Sequence, residues 1–320
     1  MEKIIPEIIE KEFKAKTLEI IRINEGFSHY VYSIKFNKKP FEAIIRFSNN
    51  KKEEYGLGKE KWVIETLSKA NIPAPKIYAF NNSENGYIIL EKFRGQRLDS
   101  IWDSLNKKDK LQLTEEIGKL AAKMHNIELE AFGKILSEGK IEEDIPFKFR
   151  KAGEEIEFDK SLRYNLVEFM KDFARLVSYS SVSKETALKA INQIITNLHE
   201  IRYEGKPRIL HGDFHTGHIF VEKNNEKYEI TGLIDFEFAK SSTPEYDFIK
   251  LHRQGFFDDK ELFNALQEGY GRTINFKAVK IYRLMRDLGF AQVMLDAGNK
   301  EQADKTLKFI EESLSDKSNF

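Results

Sequence analysis

The sequence contains no cysteine among its 320 residues. A disulfide framework, a thiolate metal site and a cysteine nucleophile are therefore excluded. Neither sign of charge is in excess, because 52 Lys and Arg residues balance 52 Asp and Glu residues. This balance gives no reason to expect nucleic acid or an acidic membrane surface as a partner.

Long apolar runs are also missing. No stretch approaches the roughly 20 apolar residues that a transmembrane helix needs, and the opening Met-Glu-Lys-Ile-Ile-Pro-Glu lacks the apolar core of a signal peptide. We therefore expect a cytoplasmic protein. Hydrophobic residues still make up 41% of the chain, enough for a packed core. At 320 residues the chain exceeds the size at which one core usually keeps growing, which predicts two lobes.

The first 90 residues carry the pattern of an antiparallel sheet. Short runs rich in β-branched and aromatic residues, separated by turns, predict five strands: 17–23, 30–36, 41–47, 76–80 and 87–90. Helices are predicted over 4–14 and 57–70.

From about Ile101 the pattern becomes helical. Apolar residues at spacings of four and three, as one helix face requires, are Leu113, Ile117, Leu120, Met124 and Ile127. Further helices are predicted over 162–178, 184–199, 258–270, 276–297 and 302–314.

The stretch 209–239 combines a hairpin with polar side chains. Two apolar runs, Ile219–Val221 and Ile230–Ile234, flank a polar turn and predict two paired strands. Asp213 and His218 precede the first strand, and Asp235 follows the second. Carboxylates held at strand ends in this way can hold a divalent cation beside a reacting hydroxyl.

The spacing within this stretch resembles a kinase catalytic centre. Protein kinases carry His-Arg-Asp, an Asn five residues after that Asp, and then Asp-Phe-Gly. Here the chain has His211-Gly212-Asp213, a His at 218, and Asp235-Phe236-Glu237. The His-Gly-Asp form resembles the aminoglycoside phosphotransferase and choline kinase family. In having a His at position 218, the chain resembles the 2″-aminoglycoside and macrolide phosphotransferase branches of that family.

The resemblance implies a bilobal, protein-kinase-like α+β fold. An antiparallel β-sheet N-lobe with one long helix is expected over 1–93, and a mostly helical C-lobe over 94–320. A substrate-binding helical insertion is expected at about 131–205. The chain has no Ala-Pro-Glu motif and no room for a long activation loop between Asp235 and Asp247. The acceptor is therefore expected to be a small molecule.

The resemblance also assigns nucleotide-binding residues. Arg46 takes the place of the strand lysine that contacts the phosphates, and its planar fork can hold phosphate oxygens. Its partner on the following helix is Glu60 or Glu65, of which Glu60 fits the family better. Ser28 is expected to cover the phosphates in a turn. Backbone groups of the hinge residues Glu91 and Phe93 are expected to hydrogen-bond the adenine.

The catalytic roles follow from the same resemblance. Asp213 is expected to accept the proton of the substrate hydroxyl, and Asp235 to hold Mg²⁺. His218 is expected to bind the metal weakly or to hydrogen-bond a phosphate. His211 is expected to be structural, and Asp247 to brace the catalytic loop.

These residues predict a Mg²⁺-dependent kinase that transfers the γ-phosphate of ATP or GTP to a small-molecule hydroxyl. An aminoglycoside or macrolide antibiotic comes first among acceptors, which would make the protein an antibiotic-resistance enzyme. A metabolite kinase for choline, a sugar amine or homoserine is the alternative. A nucleotide-binding pseudoenzyme or scaffold is the alternative from another class. The partners expected are the nucleotide and the acceptor, for a monomer or homodimer.

Two further patterns leave alternatives open. The histidines His211, His215 and His218 have spacings that suit zinc on a helix, although Gly212 and Gly217 argue against a helix there. Residues 235–268 contain eight Asp or Glu residues but only four Lys or Arg residues. They predict either an acidic cleft for a polycationic aminosugar or the solvated faces of amphipathic helices.

Overall fold

The structure is a computed structural model that describes residues 1–23, 29–48, 56–83, 86–142, 150–151, 154–155 and 181–315. The helical insertion expected at about 131–205 lies partly outside the described residues. Two further predictions lie wholly outside them. One is the phosphate-covering role of Ser28, and the other is the helix expected over 162–178.

The N-terminal region is a five-stranded antiparallel sheet with two helices. Its strands are β1 (Thr17–Ile23), β2 (His29–Phe36), β3 (Glu42–Ser48), β4 (Ile77–Asn81) and β5 (Tyr87–Leu90). They lie in the order β1-β2-β3-β5-β4. Helix α1 (Ile5–Phe13) precedes the sheet, and α2 (Leu57–Lys69) connects β3 to β4. All seven predicted elements are confirmed to within one residue at each end.

The two faces of the sheet bury different helices. On β3, Ile45 and Phe47 belong to the core that includes Ile5 and Ile9 of α1. Ile44, on the opposite face, packs against the core that includes α2. Because side chains alternate along a strand, Arg46 shares the face of Ile44 and points toward α2.

The described part of the C-terminal region is mostly helical with three small sheets. Its helices are α3 (Leu98–Ile101), α4 (Lys107–Met124), α5 (Ser181–Thr196), α6 (Ile249–Arg253), α7 (Lys260–Tyr270), α8 (Phe276–Asp296) and α9 (Lys300–Ser315). Its strands are β6 (Gln96–Arg97), β7 (Gly133–Ile135), β8 (Ile141–Glu142), β9 (Arg150–Lys151), β10 (Glu154–Glu155), β11 (Arg208–Leu210), β12 (Ile219–Asn224), β13 (Lys227–Leu233) and β14 (Lys240–Ser242). The sheets run β13-β12-β6, β11-β14-β7-β8 and β10-β9. In the described part of the chain, no helix is both long and apolar enough to cross a bilayer.

Two cores hold these elements. The larger one joins α4 and the β12–β13 hairpin to α2, so it continues from one lobe into the other. The predicted stripe on α4 is confirmed, since Leu113, Ile117 and Met124 are fully buried in this core. The second core lies between α5, α8 and α9. The predicted hairpin is also confirmed, with His218 directly before β12 and Asp235 shortly after β13.

Candidate active site

The loop between β11 and β12 is held by one buried carboxylate. Asp247 accepts hydrogen bonds from the backbone N–H of His211 at 2.9 Å and of Gly212 at 2.7 Å. The Nε2 atom of His125 lies 3.1 Å from the same carboxylate. Asp247 is only 1% exposed, and three donors satisfy it there. The bracing role predicted for Asp247 is therefore confirmed.

The backbone conformation of the loop depends on Gly212. Its φ is +76°, and a Cβ at this position would collide with the carbonyl oxygen of Phe238. The ring of His211 then bridges two strands, because its Nε2 donates to the carbonyl of Ile234 at 2.9 Å. Burial lowers the pKa of His211, so the ring stays neutral. Its role is structural, as predicted.

Asp213 lies at the centre of a group of cationic and polar donors. Arg286 Nη2 lies 2.8 Å and Lys250 Nζ 3.0 Å from its Oδ1. His215 Nε2 lies 3.5 Å from Oδ2. Burial alone would raise the pKa of Asp213, but His215 and the charges of Arg286 and Lys250 hold it well below its usual range. Asp213 is therefore a carboxylate at neutral pH.

The ring of His218 connects Asp213 to Asp235. Its Nδ1 lies 3.0 Å from the carbonyl of Asp213, and because a carbonyl only accepts, Nδ1 carries the proton. The lone pair is then on Nε2, which lies 3.4 Å from Oδ2 of Asp235. Burial, followed by the nearby His211 and His215, lowers the pKa of His218 to about 4. A neutral imidazole and a carboxylate thus present lone pairs to each other, which is a suitable arrangement for a cation.

Asp235 has an unusual backbone conformation. Its φ is +70° and its ψ +66°, in the left-handed region that few non-glycine residues adopt. The conformation aims Oδ1 at Nη2 of Arg46, 3.0 Å away, and Oδ2 at His218. Strained residues of this kind persist where the surrounding contacts fix them, and they cluster at functional sites.

Arg46 joins the sheet to both α2 and Asp235. Its Nη1 lies 2.5 Å from Glu60 Oε1, whereas the alternative partner Glu65 pairs with Lys61. Arg46 is 8% and Glu60 2% exposed. Burial alone would lower the pKa of Arg46, but Glu60 and Asp235 raise it above its ordinary value. The arginine therefore stays charged between two carboxylates.

A cavity of about 510 Å³ opens between the two lobes beside these groups. Apolar side chains from both lobes line it: Ile23, Val31, Ile44, Leu90, Phe220 and Ile234. The charged residues Arg46 and Asp235 and the neutral imidazole of His218 also line it. The cavity therefore offers an apolar slot next to a charged group that can hold phosphates and a cation.

The predicted hinge residues Glu91 and Phe93 also line this cavity. The N–H of Glu91 already donates to the carbonyl of Lys76 at 2.8 Å. A ligand can therefore use only the carbonyl of Glu91. The N–H of Phe93 has no hydrogen-bond partner among the described residues. This pair can offer one acceptor and one donor.

The zinc site considered from sequence is not formed by the three histidines. Both ring nitrogens of His211 are hydrogen-bonded, one to Ile234 and one to the N–H of Asp213. In His215, Nδ1 accepts from the N–H of Gly217 at 3.0 Å, so a neutral ring carries its proton on Nε2, toward Asp213. His218 alone presents a free lone pair to the site.

Of the eight carboxylates in the acidic segment, Asp235 and Glu237 line the cavity between the lobes, and three others have contacts elsewhere. Asp247 is buried under the loop, Asp259 caps the first turn of α7, and Glu261 pairs with Lys107. The side chains that reach Asp213 are basic. Lys250 and Arg286 were not singled out from sequence because they come from α6 and α8, the latter 73 residues along the chain.

Solved structures of aminoglycoside phosphotransferases share this fold. A GDP and kanamycin complex of APH(2″)-IIIa superposes with a TM-score of 0.69 at 16% identity, covering 96% of each chain. A streptomycin–ATP complex of APH(2″)-IIa gives 0.65 at 15% identity, over 98% of this chain and 96% of that one. Plasmodium vivax ethanolamine kinase gives 0.58 at 14% identity, over 95% and 84%. At these identities the likeness speaks for the bilobal kinase-like fold alone.

The sequence itself matches a family model. Residues 19–282 match the model for the phosphotransferase enzyme family, APH. The matched range contains Arg46, the loop between β11 and β12, Asp213 and Asp235. The chain belongs to the phosphotransferase enzyme family.

Proposed function

We propose that this protein is a Mg²⁺-dependent kinase that transfers the γ-phosphate of ATP or GTP to a hydroxyl of a small molecule. The observation that carries the proposal is the connection through His218. Its Nδ1 lies 3.0 Å from the backbone carbonyl oxygen of Asp213, and its Nε2 lies 3.4 Å from Oδ2 of Asp235. The proposed base, Asp213, and the proposed cation ligand, Asp235, would thus both be neighbours of His218, in keeping with the needs of phosphoryl transfer.

The nucleotide would lie in the cavity between the lobes. Its apolar walls suit a purine base, and the carbonyl of Glu91 and N–H of Phe93 would bind the edge of that base. Arg46 would contact the phosphates, and Ser28 would cover them. Relatives of the same fold were solved with GDP and with ATP. We place the boundary between N-lobe and C-lobe at 93/94, with a substrate-binding insertion at about 131–205.

The residues at the cation site fit Mg²⁺. Asp235 supplies the carboxylate oxygen that Mg²⁺ prefers, and His218 presents a lone pair 3.4 Å from it. Bound Mg²⁺ would neutralise charge on the β- and γ-phosphates. Other residues fix the orientation of both side chains. Arg46 contacts the carboxylate of Asp235, and His218 donates a hydrogen bond to the carbonyl of Asp213.

Asp213 would orient the acceptor hydroxyl and take its proton. Its low pKa makes it a weak base, which suits a loose transition state in which the hydroxyl becomes acidic late. Arg286 fixes the carboxylate from one side while also donating to the carbonyl of Gly212 at 2.7 Å. A pseudoenzyme would need neither this carboxylate nor its support.

The acceptor is less constrained by these residues. Relatives were solved with kanamycin and with streptomycin, and another is an ethanolamine kinase. They support an aminoglycoside or a metabolite alcohol as the acceptor, whereas a macrolide is supported only by the family resemblance at His218.

The test is Mg²⁺-dependent phosphoryl transfer from ATP and GTP to a panel of small-molecule alcohols, with parent and Asp213→Asn protein. We expect at least one acceptor to stimulate nucleotide consumption by the parent. Asp213→Asn should bind nucleotide as tightly as the parent and transfer phosphate about 10²- to 10⁴-fold more slowly. Equal transfer by the variant would remove Asp213 from its role. Silence of the parent on every acceptor, with nucleotide bound, would favour the pseudoenzyme.

A further inference from the structure

Four basic side chains lie on α6 and α8, and two of them contact Asp213. Lys250 and Arg253 lie three residues apart on α6, and Arg283 and Arg286 three residues apart on α8, so each pair shares one helix face. We call these four residues the basic cluster. Among the described residues, the carboxylates that the basic cluster contacts are Asp213 and Asp287. Four cations thus face two carboxylates.

The cluster divides into two pairs with different partners. Lys250 and Arg286 both contact Oδ1 of Asp213, as described above. Arg253 and Arg283 instead converge on Asp287, which Arg253 Nη2 contacts directly and which lies 3.6 Å from Arg283 Nε. Two guanidinium groups around one carboxylate are the arrangement that proteins use to bind carboxylates and phosphates.

The basic cluster is partly open to solvent. The side chains of Lys250, Arg253 and Arg286 are 28%, 26% and 21% exposed, and that of Arg283 is 12% exposed. Burial, and then repulsion from Arg286 and Arg283, lowers the pKa of Arg253 to about 10. Burial also lowers the pKa of Arg283 to about 10. The site is thus crowded with positive charge that an added anion would neutralise.

We propose that Arg253 and Arg283, with Lys250, form a subsite for an anionic group on the acceptor, either a carboxylate or a phosphate. The inference rests on the proposed kinase function and specifies its acceptor: a hydroxyl compound with a negatively charged group. Binding that anion beside Asp213 would bring the hydroxyl to the carboxylate. The same charges would repel a polycationic aminosugar.

The first test compares acceptor classes. Hydroxy acids, sugar phosphates, amino alcohols and aminoglycosides are offered with Mg²⁺ and ATP or GTP. We expect transfer to hydroxy acids or to sugar phosphates, and these two arms distinguish a carboxylate from a phosphate. Transfer confined to the cationic acceptors would overturn the proposal.

The second test uses variants of the subsite. Arg253→Gln and Arg283→Gln should each raise the KM for the anionic acceptor about 10- to 100-fold, as expected for loss of a charge-assisted hydrogen bond. The KM for nucleotide should stay unchanged. Each single variant leaves Asp287 with one arginine, which protects the fold. Lys277→Gln is the matched control, because Lys277 begins α8 but pairs with Glu200 away from the cluster. An unchanged acceptor KM in both arginine variants would contradict the subsite.

A binding measurement decides the case in which no panel compound is turned over. Inorganic phosphate is titrated into the protein saturated with Mg²⁺ and a non-hydrolysable ATP analogue, so that the nucleotide phosphate sites are filled. Binding that Arg253→Gln weakens about tenfold or more supports the subsite. No binding, or equal binding by the variant, overturns it. Failure of the analogue itself to bind would instead refute the kinase, which keeps the two failures distinct.

Discussion

At the scale of single residues, Arg46 shows what a sequence can and cannot reveal. Its place on the third strand and its likeness to the kinase lysine indicated phosphate binding. The sequence could not decide between a solvated and a buried side chain, because burial depends on Glu60 and on Asp235, which lies 189 residues away. The structure places its guanidinium between these two carboxylates, with a different nitrogen on each.

Replacing Arg46 by lysine tests whether both contacts matter. A single ammonium group cannot hold the two carboxylates from two separate nitrogens, so Asp235 should lose its orientation. We expect Arg46→Lys to weaken Mg²⁺–nucleotide binding about tenfold, the loss of one charge-assisted hydrogen bond. Titration calorimetry measures this. Arg22→Lys on the exposed strand β1 is the control, and equal affinity of Arg46→Lys and parent would show that the fork is dispensable.

At the scale of elements, local patterns predicted more than long-range ones. The strands and helices of the N-lobe follow from alternation and from apolar spacing, which neighbouring residues fix. The sequence did not predict the basic cluster, because α6 and α8 meet the loop between β11 and β12 only through tertiary packing. The anchoring of that loop by Asp247 could be predicted only from the family, since nothing in its local sequence marks it as buried.

The anchoring role of Asp247 predicts a large effect from a small change. Asp247→Asn keeps the shape but turns one acceptor oxygen into a donor that faces a backbone N–H. We expect a loss of about 2–4 kcal/mol in the free energy of unfolding, the range for a buried hydrogen-bonded charge that loses its match. Urea denaturation measures it. Asp304→Asn, on the exposed side of α9, should change stability little. A similarly small effect at Asp247 would mean that the loop between β11 and β12 keeps its conformation without the Asp247 carboxylate.

At the scale of the whole molecule, a core continuous from α2 to α4 joins the lobes, and the charged groups lie where the lobes meet. Composition predicted two lobes and a packed interior. It could not predict which titratable side chains turn inward. His252 is an example, because its ring is buried against Phe257 and Phe276 with Arg283 Nη1 3.3 Å away.

The buried state of His252 makes stability depend on pH. Burial, followed by Arg283 and Lys280, lowers its pKa from 6.5 to about 3. Between these values the unfolded chain binds more protons than the folded one. This contribution to stability is therefore complete above pH 6.5 and is lost as the pH falls toward 3.

His252→Gln should remove this contribution. Between pH 6.5 and 5 the parent should lose about 2 kcal/mol more than the variant in the free energy of unfolding. Urea titrations at the two pH values give the difference. The exposed His199→Gln is the control and should follow the parent. Parallel curves for parent and His252→Gln would show that His252 is protonated in the folded protein.

The most direct measurement of the proposed kinase site is Mg²⁺-dependent nucleotide binding by parent and Asp235→Asn protein. ATP and GTP are titrated with and without Mg²⁺. We predict that Mg²⁺ tightens nucleotide binding by the parent and has little effect on the variant, because Asp235 is the carboxylate proposed for the cation site. Absence of nucleotide binding by the parent, or an equal Mg²⁺ effect in both proteins, would contradict it.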